Sequence, residues 1–299
     1  MSVDTSLPKQ PFARSQPGMS AVRKRELEDY SRNRRRRNRN RKIYRGAAGI
    51  LALLLLWQFG SMYYHLDMIL PPPTTVLRDV VDTLFLYYPQ DQWLYGPNIY
   101  VHLLASFSRA ILGFGLASAV AIPAGLVVGR SETMREYLEP VIRLLYPIPG
   151  IAWIPLAILW FGLTDKAMVF VVFIAEFFAV FFNTEAGARR INPVIIDAAR
   201  CYGATGFTLL RRVILPATIP SIITGARIAL GGAWRMIVAA EMLAAKTGVG
   251  FVLMQARYQF QAADLMMTMI LISVVGFGTE QLIIRTLERR TVGKWDARV

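Results

Sequence analysis

Six stretches of this chain are almost free of charge over about the twenty residues that a helix needs to cross a ~30 Å hydrocarbon core. Residues 46–66, 110–129 and 144–163 contain no Asp, Glu, Lys or Arg. Residues 167–184 are apolar apart from Glu176, and residues 265–284 apart from Glu280. The longest, residues 213–245, carries Arg227, Arg235 and Glu241. Lipid cannot hydrogen-bond a bare backbone, so runs of this kind are read as helices that satisfy their own amides. Since 54% of the 299 residues are hydrophobic, the expected fold is an all-α polytopic membrane protein. Its six spans are placed at about 46–66, 102–129, 141–163, 167–186, 213–245 and 265–287.

Charge orients these spans. The chain has 34 Lys+Arg against 20 Asp+Glu, and residues 1–45 alone hold 14 Lys/Arg and 4 Asp/Glu. Cytoplasmic segments are enriched in Lys/Arg, so the tail is placed inside, and six spans bring the C-terminus back to that side. The remaining connections agree. Segments 130–143, 189–212 and 285–298 hold 13 Lys/Arg, whereas 67–101, 164–166 and 244–265 hold only Arg78, Lys166, Lys246 and Arg257. Both termini are therefore expected on the cytoplasmic side of the membrane.

Three parts follow: a basic cytoplasmic tail (1–45), a membrane domain (46–290) and a short cytoplasmic C-terminal tail (291–299). The first twenty residues are polar and Pro-containing, a composition that does not pack a core. The arginine-dense run behind them reads as a topology signal in contact with anionic lipid, each Lys/Arg near the surface contributing about 1 kcal/mol. Nucleic acid is not expected there, because only Tyr30 and Tyr44 interleave with the basic residues and stacking platforms need more aromatics. The basic region is too long for a signal peptide, and no small-residue cleavage pattern follows it. One cysteine, Cys201, and two histidines, His65 and His102, leave no disulfide and little material for a metal site or nucleophilic catalysis.

Pro71, Pro72 and Pro73 are expected to end the first helix. An interfacial amphipathic helix and an aromatic loop should follow, with Tyr87, Tyr88, Trp93, Tyr95 and Tyr100 as a belt at the outer boundary. Pro123, Pro147, Pro149 and Pro155 interrupt helix hydrogen bonding within spans, which a membrane protein tolerates where the freed groups face protein or a wet cavity. Gly- and Ala-rich runs such as GFGLASAVAIPAGLVVG point to close helix packing. No internal repeat is visible.

The segment between the fourth and fifth spans has a design of its own. INPVIIDAARCYGATGFTLLRRVILP opens with Asn192 as a helix cap and Pro193 in the first turn. Gly203 and Gly206 then permit a sharp turn, and a second helix runs to Pro216 and Pro220 at the entry to span five. Helix, tight turn, helix, with small exposed residues, is the form of a docking site or of a well-built loop.

This stretch resembles the signature loop of ABC-importer permeases, written EAA, three residues, G, nine residues, I, one residue, LP. Asp197, Ala198, Ala199, Gly203 with Ala204 after it, Val213, Leu215 and Pro216 fall in that register. Asp197 replaces the usual glutamate and Val213 the usual isoleucine. LPPPTTVL, YPIPGIAWIPLAILWFGL, AAEMLAAKTGVGF and LERRTVGKW are similar to the nitrate/sulfonate/taurine branch, and the resemblance spans roughly residues 50–295. It implies a type I importer permease bundle whose coupling helices, with Asp197, Ala198, Ala199, Gly203, Ala204, Leu215 and Pro216, sit in a cleft of a cytoplasmic ATPase. It further implies a bacterial inner membrane, two ATPase subunits, a second permease subunit (a homodimer is expected), an external solute-binding protein, and alternating access driven by ATP. ATP and Mg would be held by the ATPase. This chain has no G-x-x-x-x-G-K-[ST] phosphate loop, so it carries no cofactor or metal and is not expected to be an enzyme.

Ionisable groups at membrane depth usually face the bundle interior or a cavity. Arg227, Trp234, Arg235 and Glu241 on span five, and Glu176 on span four, are the candidates for the translocation pathway. Arg227 or Arg235 would help a small anion (nitrate, bicarbonate, sulfonate or carboxylate) to cross. The opposing reading is that these charges pair and fix packing. A self-sufficient ion-coupled carrier using Glu176 and Glu241 is the alternative function, but it leaves the Asp197–Pro216 segment without a purpose.

Overall fold

The structure, a computed structural model, describes residues 41, 44–63, 69–85 and 98–291. Most of the basic tail, the belt residues Tyr87, Tyr88, Trp93 and Tyr95, and the C-terminal residues 292–299 lie outside them. The chain divides into two units, one ending at Tyr64 and one beginning at His65. The first contributes a single described span, α1 (Tyr44–Tyr63). All helices from α2 onward belong to the second. No strand occurs among the described residues.

The second unit opens with α2 (Pro73–Phe85), which starts at the third proline of the triplet, where a missing N–H costs nothing. Next comes α3 (Ile99–Arg130), capped by Asn98, whose side chain accepts the Tyr100 N–H. The Tyr100 hydroxyl donates to the Leu84 carbonyl and ties α2 to α3. Pro123 lies inside α3 without ending it.

The expected third span is not one helix. Residues 132–145 form α4 (Glu132–Leu145), begun by Ser131, whose hydroxyl accepts the Met134 N–H. A 3₁₀ turn (Gly150–Trp153) and α5 (Ile154–Phe161) follow. The two halves meet at 89°. Pro147 and Pro149 cause the break, because a residue before proline is pushed out of the helical region and proline supplies no donor. The bend moves residues 132–143 from an expected connection into a helix.

The helix α6 (Asp165–Arg189) leads through Asn192 to α7 (Pro193–Cys201), then α8 (Gly206–Leu209), a π-helical turn (Leu210–Ile214) and α9 (Leu215–Ala244). α10 (Val249–Tyr258) and α11 (Ala262–Thr291) complete the unit. Among the described residues, five helices are long and apolar enough to cross a membrane, and the bent pair makes a sixth when its halves are counted as one span.

α3, α6 and α9 form the centre, and small residues let their backbones approach. A Cβ on Gly125 of α3 would stand 2.8 Å from Thr184 Cβ and 2.9 Å from the Phe181 carbonyl of α6. One on Gly225 of α9 would stand 2.8 Å from Asn183 Cβ. Around them Ala121, Val128, Val180, Phe181 and Ala229 are fully buried. Lipid gives no hydrophobic drive for helix association, so this close van der Waals contact is what holds the three together.

Where α3 and α6 begin and α9 stops, charge does the same work. Arg109 of α3 donates from Nη1 to Glu241 Oε1 at 2.7 Å and to the Thr247 carbonyl at 2.6 Å. Its Nε donates to Asp165 Oδ1 at 2.9 Å and its Nη2 to Thr247 Oγ1 at 2.9 Å. Glu241 also accepts from Ser106 Oγ at 2.7 Å and from the Gly250 N–H at 3.1 Å. The Gly248 N–H donates to His102 Nδ1 at 2.8 Å. Gly248 has φ +131°, and a Cβ there would lie 2.3 Å from the Glu241 carboxyl carbon. Only glycine fits on both counts.

Two outcomes are expected in thermal unfolding of the detergent-solubilised protein. Arg109→Met should cost about 3–5 kcal/mol, because it strands a buried carboxylate, and Glu241→Gln added to it should recover part of that loss. Gly125→Ala should cost about 1–3 kcal/mol by overpacking. Gly115→Ala, with nothing within 4 Å of its Cβ, should be close to neutral.

Candidate functional site

The segment from Asn192 to Pro216 is built by local rules. Asn192 Oδ1 accepts the Val194 N–H at 3.0 Å and starts α7. The helix ends in a Schellman motif: the Gly203 N–H donates to the Arg200 carbonyl at 2.9 Å and the Ala204 N–H to the Ala199 carbonyl at 3.0 Å. Gly203 has φ +81°, and a Cβ there would meet nothing within 4 Å. Conformation, not space, therefore requires the glycine. Thr205 is extended and α8 begins at Gly206.

The inner side of this segment is anchored. Ile196, Leu209 and Ile214 are buried with Leu126 of α3, Ala188 of α6 and Ile191, and Ala199 and Ala204 pack against them. The outer side is not covered: Asp197, Ala198, Cys201 and Gly203 are exposed, as are Val194 and Ile195, with Phe207 at 73% and Tyr202 at 93%. Asp197 makes a 3.6 Å ion pair with Arg200 within α7, a surface pair of small energetic weight.

Beyond the segment the chain does not turn again. Residues 206–244 run as one continuous helical stretch. Pro216 lacks the donor that would reach back to Arg212, and the helix widens there: the Leu215 N–H bonds the Leu210 carbonyl, five residues back. Leu215 and Pro216 are half-buried at this widened turn.

The five candidate pathway residues separate into distinct environments. Glu241 lies in the Arg109 cluster at the far end of α9, 1% exposed. Trp234 is buried, and its Nε1 donates to the Ile272 carbonyl of α11 at 2.7 Å. The indole lies over Gly276, where a Cβ would stand 2.3 Å from Trp Cδ1. Arg227 and Arg235 are exposed, on one flank of α9 eight residues apart. Glu176 and Arg235 both line a cavity of about 490 Å³, bounded by the proline break (Tyr146–Gly150), Trp153, Phe178, Ile228 and Gly232.

Sequence reasoning missed Ser106, Asp165 and Thr247 as partners of the Arg109–Glu241 pair, and Gly232, Tyr146 and Trp153 as walls of the cavity. YPIPG and the paired glycines Gly231–Gly232 were the available signals for the cavity. Ser106 lies three residues from Arg109 and Thr247 six from Glu241, but nothing local links these two stretches, which are 132 positions apart, or ties either to Asp165. No group of three or more metal-ligating side chains occurs among the described residues.

Comparison with known proteins gives the context. Residues 121–291 match the family described as binding-protein-dependent transport system inner membrane component. The taurine transport system permease protein TauC of Escherichia coli (strain K12) is 36% identical over 245 residues, 81% of this chain and 86% of that protein. The bicarbonate transport system permease protein CmpB of Synechococcus elongatus is 32% identical over 231 residues, 77% and 82% of the two chains. Among solved structures, a chain of a bacterial alginate ABC transporter, in complex with an alginate-bound periplasmic protein, superposes with a TM-score of 0.55 at 16% identity. That match covers 81% of this chain and 94% of the other. The chain is thus a permease subunit of the binding-protein-dependent transport system inner membrane component family, in the branch that contains the taurine, sulfonate and bicarbonate permeases.

Proposed function

We propose that this subunit conducts a small acidic solute of the taurine, sulfonate or bicarbonate class into the cell, and that the energy enters through the Asn192–Pro216 segment. The outer face of that segment carries the proposal. Val194, Ile195, Ala198, Tyr202 and Phe207 expose an apolar surface on a segment held rigidly from within, the arrangement of a docking surface. A cytoplasmic ATPase that grips Asp197, Ala198 and Gly203 from outside, with Ala199 and Ala204 seated on the anchor beneath, would move α7 and α8 together. The continuous helix from Gly206 through Leu215 and Pro216 to Ala244 would carry that movement past Arg227 and Arg235, with its far end held at Glu241 by the Arg109 cluster. Alternating access is then a rocking of the bundle between inward- and outward-facing forms, with ATP and Mg held by two ATPase subunits.

Arg227 and Arg235 support a second permease subunit. Charges on an apolar span do not face lipid, so the exposed flank of α9 borders a water-filled path closed by a second copy. An external binding protein delivers solute at the opposite end, and both termini lie in the cytoplasm, where the basic tail meets anionic lipid. A self-sufficient carrier would leave the Tyr202–Phe207 surface without a partner.

The test is co-purification with the cognate ATPase subunit in detergent. Ala198→Glu puts a charge into the docking face, and Tyr202→Ala removes its most exposed aromatic. Each should cost at least about 2 kcal/mol of affinity, roughly a thirtyfold weakening. A substitution of exposed Tyr137 on α4 should leave retention unchanged. Full retention of the ATPase by both loop variants would refute the docking surface.

A further inference from the structure

The docking segment carries charge of one sign. From Arg190 to Arg212 the chain has four arginines, Arg190, Arg200, Arg211 and Arg212, and a single carboxylate, Asp197. All five are exposed. Asp197 lies 3.6 Å from Arg200, and among the described residues no ion pair within 4.0 Å includes Arg190, Arg211 or Arg212. Arg189, just before them, is already met by the buried Glu185 at 3.0 Å. On α4 the balance is different, since Arg135 pairs with Glu132 at 2.9 Å and Arg143 with Glu139 at 2.6 Å.

These arginines share the side on which the aromatic residues are open. In the stretch that leaves α8, Leu209 and Ile214 are buried and Leu210 is half-buried against the anchor, whereas Phe207, Thr208, Arg211 and Arg212 are exposed. Arg211 follows Phe207 by four residues, the spacing that places side chains on one helix face. Arg200 stands two residues before Tyr202 at the end of α7, and Arg190 two before the Asn192 cap. The apolar centre of Val194, Ile195, Ala198, Tyr202 and Phe207 therefore has cations before it, within it and after it along the chain.

The positive-inside rule explains why arginines collect on a cytoplasmic segment, and a solvated arginine needs no partner while the segment is bare. Covering the segment changes that. Each guanidinium then loses water and has to be met by an acceptor, and a partner face of like charge is repelled. We propose that the partner face seated on this segment is acidic: an apolar pocket for Tyr202 and Phe207, bordered by carboxylates that meet Arg190, Arg211 and Arg212. The apolar centre holds the complex, and the charges at its border steer it into place. This rests on the docking reading above and names the chemistry of the surface that fits it.

The test is the kinetics of association with the purified cognate ATPase subunit, which separates on-rate from off-rate. The full-length permease is held in detergent, and in nanodiscs containing anionic phospholipid. Raising salt from about 50 to about 500 mM shortens the Debye length and should slow wild-type association at least about tenfold. At low salt Arg211→Glu with Arg212→Glu should associate at least about tenfold more slowly and lose most of the salt dependence. The milder pair Arg211→Gln and Arg212→Gln should act in the same direction, and Tyr202→Ala should act on the off-rate instead. Arg285→Glu, at an exposed arginine near the end of α11, should change the on-rate less than about twofold. An on-rate indifferent to salt and to both arginine pairs, or an equal loss in Arg285→Glu, would overturn the acidic face. Equal on-rates for wild type and the arginine pairs in anionic nanodiscs would assign these arginines to lipid head groups and overturn it as well. If wild type binds no ATPase at any salt, the docking reading itself fails and takes this one with it.

Discussion

A carboxylate buried in a membrane protein has to be met by the protein, because lipid offers it nothing. Glu241 is met completely, and much of the bundle is arranged to do so. Arg109 and Ser106 from the start of α3 converge on it, Asp165 from the start of α6 shares its arginine, and the Gly250 amide closes over it. The same contacts fix where α9 ends and how tightly the chain turns into α10. Breaking such a pair costs more than the pair contributes, since one charge is left buried. The cluster therefore locks one end of α3, α6 and α9 together.

The other end of those helices carries the loop, and its construction is different. Its order comes from a cap, a Schellman turn and a small apolar anchor, all of them local, while its outer face stays open. α9 joins the two ends. It leaves the loop through a π-helical turn and passes the Glu176–Arg235 cavity on its way to the Arg109 cluster. A force applied at Tyr202 and Phe207 would act on a helix fixed at its far end, so that movement is expected near the proline-widened turn and along the cavity. Among the buried carboxylates, Glu241 holds structure, and Glu176 lines the cavity with Arg235.

The number of spans and the loop were legible because both depend on short-range pattern. Twenty uncharged residues identify a span without reference to its neighbours, and Asn192, Pro193, Gly203 and Gly206 act within a few residues of themselves. Residues 132–143 were read as a connection because their charges (Glu132, Arg135, Glu139, Arg143) resemble a loop. In the structure they lie on one side of a helix whose Met134, Tyr137, Val141 and Leu144 are exposed. The partners of Arg109 could not be read, since Glu241 is 132 positions away and nothing local marks the pair. Nor could the sequence show that Trp234 turns toward Ile272, or that Gly232 exists to admit Glu176. Those facts belong to the packing of α6, α9 and α11.

Cys201, the one cysteine in the chain and exposed at the end of α7, allows the docking surface to be examined without any substitution. The measurement is labelling of Cys201 by a membrane-impermeant maleimide, in right-side-out and inside-out vesicles, with the ATPase subunit present and after it has been stripped away. The account predicts labelling only in inside-out vesicles, at least tenfold slower while the ATPase is bound. Labelling from the outside, or a rate unchanged by the ATPase, would contradict it.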